Sequence, residues 1–75
     1  KYSAAKSAFE ELVQKYPYGQ YAPNGYYWLG EIHMTQHNLA QAEEAFRPVV
    51  EKFPSHSKAP DALLKLGVLA LDKKS

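Results

Sequence analysis

The chain has 75 residues, of which 45% are hydrophobic and 23% are charged, and its formal net charge at pH 7 is +1. This composition is ordinary for one small globular domain and argues against a disordered segment. The nearly balanced charge gives no basic surface of the kind that binds nucleic acid. The lack of cysteine excludes disulfides, thiol catalysis and thiolate metal ligands, and no apolar run is long enough for insertion into a membrane.

A first helix is predicted over residues 2–16, because their apolar side chains recur at the i, i+3, i+4, i+7 spacing of one helical face. Pro17 is expected to end this helix. The apolar face consists of Ala5, Ala8, Phe9, Leu12, Val13 and Tyr16. The chain does not begin with methionine and opens within this helical pattern, so we expect it to be a fragment of a longer protein.

A second helix is predicted from about Pro23 to Gln36, since a proline in the first turn loses no intrahelical hydrogen bond. Its apolar residues cover two sides, which is typical of a helix that packs between two neighbours. One stripe contains Tyr26, Leu29, Gly30 and His33, and the other contains Gly25, Trp28 and Ile32. We interpret Trp28 as a wedge against the first helix, with Gly25 leaving room for its ring.

His37 and Asn38 are predicted to form a tight turn, with Asn38 as the N-cap of a third helix from Leu39 to Phe53. This helix repeats the apolar pattern of the first. Pro48 lies inside it and removes a backbone hydrogen bond, so we expect a local kink at that point.

Ser57 is a candidate N-cap for a fourth helix, predicted from about Ala59 to Asp72, with residues 73–75 expected to fray. The fourth helix is apolar on two faces. One face contains Leu63, Leu66, Gly67 and Ala70, and the other contains Leu64, Val68 and Leu71.

The chain repeats itself when it is shifted by 37 residues, which makes ten positions identical. The identical pairs are Ala5 and Ala42, Ala8 and Ala45, Phe9 and Phe46, Val13 and Val50, Lys15 and Lys52, Pro17 and Pro54, Ala22 and Ala59, Pro23 and Pro60, Leu29 and Leu66, and Gly30 and Gly67. We therefore divide the single domain 1–75 into a complete repeat at 22–56, the second helix of a preceding repeat with its loop at 1–21, and the first helix of a following repeat at 57–75.

The order of these residues resembles a tetratricopeptide repeat. The family's large residue, Leu-Gly pair, aromatic residue, Ala, Phe and Pro correspond to Tyr26, Leu29, Gly30, His33, Ala42, Phe46 and Pro54. The repeat departs from the family's usual length of about 34 residues by three residues, which lengthen the loops between repeats. The resemblance implies an all-α helical repeat, or α-solenoid, of four antiparallel helices.

Residues 15–31 followed by residues 51–68 are similar to the C-terminal domain of the YbgF (CpoB) family of Tol-Pal system proteins, and the resemblance spans the whole chain. It implies a non-catalytic adaptor in the periplasm of Gram-negative bacteria. Such an adaptor would bind TolA and connect the Tol-Pal system to a bifunctional peptidoglycan synthase during cell division. Two alternatives stay open, namely an outer-membrane assembly scaffold lipoprotein and an accessory binding domain of a peptidoglycan-processing enzyme.

The partner-binding site is predicted on the concave groove that the first helices of stacked repeats line. The expected site residues are Asn24, Tyr27, Glu31 and Met34 on the second helix, and Asp61, Leu64, Val68 and Leu71 on the fourth. The two polar positions Asn24 and Asp61 would hydrogen-bond a bound peptide or helix, and the apolar positions would supply adaptable contacts. Alternatively, Leu64, Val68 and Leu71 pack on a neighbouring helix that the chain does not contain.

Metal binding and catalysis are not expected. His33 and His37 are one turn apart, but no third ligand stands at a matching offset on a facing helix, so we predict neither metal nor cofactor. Ser55, His56, Ser57 and Asp61 are the residue types of a hydrolase triad, yet they are crowded into one loop.

Self-association is a further expectation from the pattern. Each end helix leaves an apolar face uncovered, so the first helix of a second molecule can cover the fourth helix of the first molecule, head to tail.

Overall fold

The computed structural model describes residues 2–74 of the chain, and the side chains of residues 2–72. These residues form four α-helices: α1 Tyr2–Lys15, α2 Ala22–Thr35, α3 Leu39–Lys52 and α4 Lys58–Lys74. The all-α repeat of four antiparallel helices is therefore confirmed, and the predicted helix ends agree with the structure to within two residues. The largest difference is at the end of α4, which continues to Lys74 instead of fraying after Asp72.

Each helix packs against the next one along the chain, and α2 also contacts α4 directly. The molecule measures 36 × 31 × 15 Å, so it is a thin slab whose short dimension is close to that of two packed helices. In such a slab a helix is covered only by its immediate neighbours, which determines the surfaces that remain open.

The turn between α2 and α3 closes through the backbone. The N–H groups of His37 and Asn38 donate to the carbonyls of Met34 and His33 at 3.0 and 2.8 Å, and His37 adopts a positive φ of 61°. Asn38 stands at the predicted N-cap position, but its side chain makes no capping hydrogen bond. The tight turn is thus confirmed, while the expected side-chain cap is wrong because the backbone closes the turn.

The start of α4 is capped by a different side chain from the one expected. The N–H of Lys58 donates to Nδ1 of His56 at 3.1 Å, so the imidazole of His56, and not the hydroxyl of Ser57, accepts from a first-turn amide.

The main core lies between α2, α3 and α4. Phe46 is 0% exposed, and an ideal Cβ placed on Gly30 would lie only 2.6 Å from its ring. The Tyr27 ring meets Phe46 edge-on, with 5.5 Å between the ring centroids. The buried residues of this cluster are Tyr27, Ala42, Phe46, Val49, Ala59, Ala62 and Leu69. Gly30 therefore allows α2 and α3 to approach each other closely.

A smaller cluster joins α1 to α2. An ideal Cβ on Gly25 would lie 3.0 Å from Val13 and 3.1 Å from Leu12, so these two α1 side chains fill the room beside the glycine. Trp28 is 43% exposed, and its ring contacts Tyr27 and Lys58. The interpretation of Trp28 as a wedge against the first helix is wrong, because aliphatic residues of α1 occupy that space.

Pro48 lies inside α3, which continues without interruption from Leu39 to Lys52. The proline leaves the carbonyl of Glu44 without its usual intrahelical donor. The kink expected at this position stays a prediction.

The two equivalent glycines of the repeat should respond in opposite ways to alanine. We expect Gly30→Ala to destabilise the fold by about 1–3 kcal/mol, because the new methyl group overlaps the buried Phe46 ring. We expect Gly67→Ala to stabilise it by up to about 1 kcal/mol, since nothing lies within 4 Å of a Cβ there and alanine favours the helix. Urea denaturation followed by circular dichroism measures both changes, and equal effects in the two variants would contradict this account of the core.

Candidate protein-binding surface

The helices α2 and α4 share one surface, where side chains of one helix contact side chains of the other. On α2 it presents Asn24, Trp28 and Glu31, which recur at the i, i+4, i+7 spacing of one helical face. On α4 it presents Lys58, Asp61 and Lys65. We call these six residues the α2·α4 surface.

An ion pair joins the two sides of the α2·α4 surface. Lys65 Nζ lies 3.1 Å from Oε1 of Glu31, and each side chain is about 30% exposed. Partial shielding from water strengthens such a pair relative to a fully exposed one, although surface pairs contribute little to stability on their own. The pair therefore orients the two side chains on neighbouring helices more than it holds the fold together.

The aromatic rings of Tyr27 and Trp28 lie beside this ion pair. Lys58 Nζ lies 4.8 Å from the ring centroid of Tyr27 and 5.3 Å from that of Trp28. Both distances are within the range of a cation–π interaction. The ammonium group thus lies over two rings of α2 and contributes a positive charge to the surface.

The Tyr27 hydroxyl lies in the field of the charged groups of the surface. Burial raises the pKa of this hydroxyl above its usual value of 10.0, and the charges of Glu31 and Asp61 raise it while Lys65 opposes them. The hydroxyl is therefore protonated at neutral pH and can act as a hydrogen-bond donor.

The eight residues predicted for one groove lie in three different places. Asn24, Glu31 and Asp61 lie on the α2·α4 surface, as described above. The ring of Tyr27 is only 8% exposed and belongs to the core, and Met34 is half-buried against the same cluster. These two side chains cannot offer the broad apolar contacts that were expected of them, because Tyr27 lies in the core and Met34 packs against it.

The remaining three predicted residues lie on another face of α4. This face lines an open apolar cavity of about 540 Å³. Its side chains are 40–71% exposed at Leu63, Leu64, Val68 and Leu71. We call it the α4 apolar face, formed by Pro60, Leu63, Leu64, Gly67, Val68 and Leu71.

Sequence reasoning missed Trp28, Lys58 and Lys65 as surface residues. The signal for Trp28 was present, because it follows Asn24 by four residues and precedes Glu31 by three, which places all three on one helical face. The two lysines carried the same kind of signal, because Lys58 precedes Asp61 by three residues and Lys65 follows it by four, which places all three on one helical face.

A second cavity of about 340 Å³ lies between α1, α2 and α3, around His33. His33 is 8% exposed, and its Nδ1 has no hydrogen-bond partner within the described residues. Burial lowers the pKa of His33 below its usual value of 6.5, and Lys6 lowers it further, whereas Glu10 and Glu44 act in the opposite direction. Carboxylates on the two flanking helices α1 and α3 therefore influence the pKa of His33.

The described part of the chain offers neither a metal-binding cluster nor a membrane-spanning helix. Within residues 2–72, no three His, Cys, Asp or Glu side chains are grouped so that they could hold a metal ion. None of the helices described here combines the length and apolar character needed to cross a membrane.

Comparison with known proteins gives a family and two relatives. A sequence model of the tetratricopeptide repeat matches residues 1–57 and 29–75. Two proteins from Pseudomonas putida, each described as cell division coordinator CpoB, are 46% identical to this chain over 38 residues. The aligned segment covers 51% of this chain but only 14% of the length of each relative.

The buried histidine should make the stability of the fold depend on pH. Well above pH 6.5 His33 is neutral in the folded and the unfolded chain. Below this pH the unfolded chain binds a proton that the folded chain does not, so the free energy of unfolding should fall as the pH decreases from 6.5 towards the lowered pKa. Urea denaturation between about pH 7.5 and about pH 5 measures the slope.

Two variants identify the histidine responsible for this slope. His33→Gln should remove most of the dependence, whereas His37→Asn should preserve it, because position 37 is exposed and asparagine tolerates its positive φ. An unchanged slope in His33→Gln would show that another group controls it.

Proposed function

This chain belongs to the tetratricopeptide repeat family, and we propose that it is a non-catalytic protein-binding domain of the bacterial cell envelope that acts in cell division. The two Pseudomonas putida relatives described as cell division coordinators support the cellular process. The resemblance of residues 15–31 and 51–68 to Tol-Pal system proteins supports a location in the periplasm.

The observation that carries the binding proposal is the α2·α4 surface. It combines a primary amide, carboxylates, ammonium groups and an exposed indole on two helices that pack directly against each other. None of the side-chain hydrogen bonds within residues 2–72 uses the Asn24 amide, so it is available to a ligand. A rigid surface with such groups can hold a peptide backbone without first being ordered.

We assign the partner contacts to Asn24, Trp28, Glu31 and Asp61, with the Tyr27 hydroxyl as a donor beneath them. The Asn24 amide can both donate to and accept from the backbone of an extended segment or the end of a helix, while Asp61 accepts hydrogen bonds. Trp28 supplies a large exposed ring, a residue type enriched at the centres of interfaces. Met34 is half-buried against the core, and the α4 apolar face is a separate surface.

The proposed partner is TolA, which would be linked through this domain to a bifunctional peptidoglycan synthase. Both partners follow from the resemblance to the Tol-Pal system family, and the 46% identity to cell division coordinators favours them over an outer-membrane assembly scaffold. An accessory role beside a peptidoglycan-processing enzyme has no comparable support.

Calorimetric titration with the central helical region of a cognate TolA tests this proposal. We expect a dissociation constant of roughly 1–100 µM. The double change Asn24→Ala with Asp61→Ala should weaken binding about thirtyfold, because two hydrogen bonds of roughly 1 kcal/mol each are lost. Gln14→Ala is the control, since this exposed α1 side chain lies away from the α2·α4 surface.

Two outcomes would contradict the proposal in different ways. Unchanged affinity in the double variant would move the binding site away from the α2·α4 surface. A folded wild-type chain that does not bind TolA would instead favour the outer-membrane assembly scaffold or the accessory domain.

A further inference from the structure

The cavity around His33, which we call the His33 cavity, is bordered by three consecutive helices. Leu29 and His33 line it from α2, Glu10 lines it from α1, and Glu44 lines it from α3. On α2 the lining residues are at positions 26, 29 and 33, whereas the α2·α4 surface uses positions 24, 28 and 31. These two sets fall on opposite sides of a helix with 3.6 residues per turn. The His33 cavity is therefore a separate site from the α2·α4 surface.

Neighbouring repeats would leave the His33 cavity open. In the 37-residue repeat, a helix before α1 would pack on Phe9, which is equivalent to Phe46 of α3. A helix after α4 would lie beside Arg47 of α3, which is equivalent to Glu10 of α1. Neither Phe9 nor Arg47 lines the cavity. Its walls are thus complete in this chain, and continuation of the repeat does not fill it.

Three charged side chains line the His33 cavity. Lys6, Glu10 and Glu44 form no ion pair within residues 2–72, although Lys6 and Glu10 are one helical turn apart. The equivalent positions on α3 hold Glu43 and Arg47, which do pair with each other. Because two carboxylates face one ammonium group, the cavity carries more negative than positive charge and favours a cation.

The imidazole of His33 adds an unmet polar group to the same cavity. His33 is 8% exposed, and its Nδ1 is buried without a hydrogen-bond partner in the described residues. A buried polar group without a partner is costly, so native structures seldom contain one without a specific reason. The equivalent position in the following repeat is Ala70, which shows that the repeat does not require a polar side chain here. The imidazole therefore indicates a polar ligand.

The uncharged part of the lining selects among cations. Leu29 and Ala45 line the cavity beside the Tyr26 ring, so an aliphatic stem can lie along them. An arginine side chain has such a stem, and its planar guanidinium carries five N–H donors that can reach two carboxylates at once. The volume of about 340 Å³ is at the lower end of the range for small-molecule sites, which fits one side chain better than a larger ligand.

We propose that the His33 cavity binds an arginine side chain from a basic segment of a partner protein. The guanidinium lies between Glu10 of α1 and Glu44 of α3 and donates a hydrogen bond to the neutral imidazole of His33. The methylene stem packs on Leu29 and Ala45. The contact does not involve the α2·α4 surface, so it does not rest on the proposed binding of TolA, and either proposal can fail without the other.

NMR titration of the isotope-labelled chain with N-acetyl-arginine methylamide tests this site. The signals of the His33 imidazole, Leu29 and Ala45 should shift together as the probe is added. The citrulline counterpart of the probe, which has the same shape without the charge, should bind at least about tenfold more weakly. Glu10→Gln and Glu44→Gln should each weaken binding about tenfold, because each removes a charge-assisted hydrogen bond. Circular dichroism confirms that the variants remain folded.

Two further variants determine the sign and the location of the charge effect. Lys6→Gln should strengthen binding of the arginine probe about threefold, because it removes a like charge from the cavity. Glu11→Gln is the matched control, since it removes a negative charge from α1 at an exposed position that pairs with Lys15. This control should bind the probe like the wild type.

Four outcomes would overturn the proposal. The first is a wild-type chain whose signals do not shift with millimolar probe. The second is an equal loss of affinity in Glu10→Gln and Glu11→Gln, which would show a general effect of net charge. The third is binding of the glutamate counterpart of the probe that is lost in Lys6→Gln, because the cavity would then be an anion site. The fourth is free arginine that binds more than about tenfold tighter than the blocked probe, which would make the amino acid itself the ligand.

Discussion

The fit of the Phe46 ring against Gly30 determines how the central hairpin packs. The ring is fully buried and occupies the space that any side chain at position 30 would need. Tyr27 meets the same ring edge-on, and Lys58 at the start of α4 lies over Tyr27 in turn. One close contact between α2 and α3 is thus connected, through a single aromatic ring, to the first turn of α4 and to the surface proposed to bind a partner.

The contacts of this fold are those between neighbouring helices, which is the rule for repeat architectures. Burial of a given position therefore depends on what stands beside its helix and not only on its residue type. Tyr27 and Leu64 occupy equivalent positions of the repeat, yet the first is 8% exposed and the second 69%. The difference arises because α3 covers that side of α2. Equivalent positions of the repeat therefore belong to the core on α2 and to an open apolar face on α4.

Periodicity made the fold predictable, whereas the binding surface depended on packing that periodicity does not describe. The repeated glycine, proline and apolar positions placed four helices with ends correct to within two residues. Tyr27 and Trp28 are neighbours in sequence on a helix that is apolar on two sides, so the pattern alone did not tell which ring is buried. Leu12 and Val13 of α1 decided the matter by filling the space beside Gly25. The environment of His33 likewise needed three helices, because its charged neighbours come from α1 and α3.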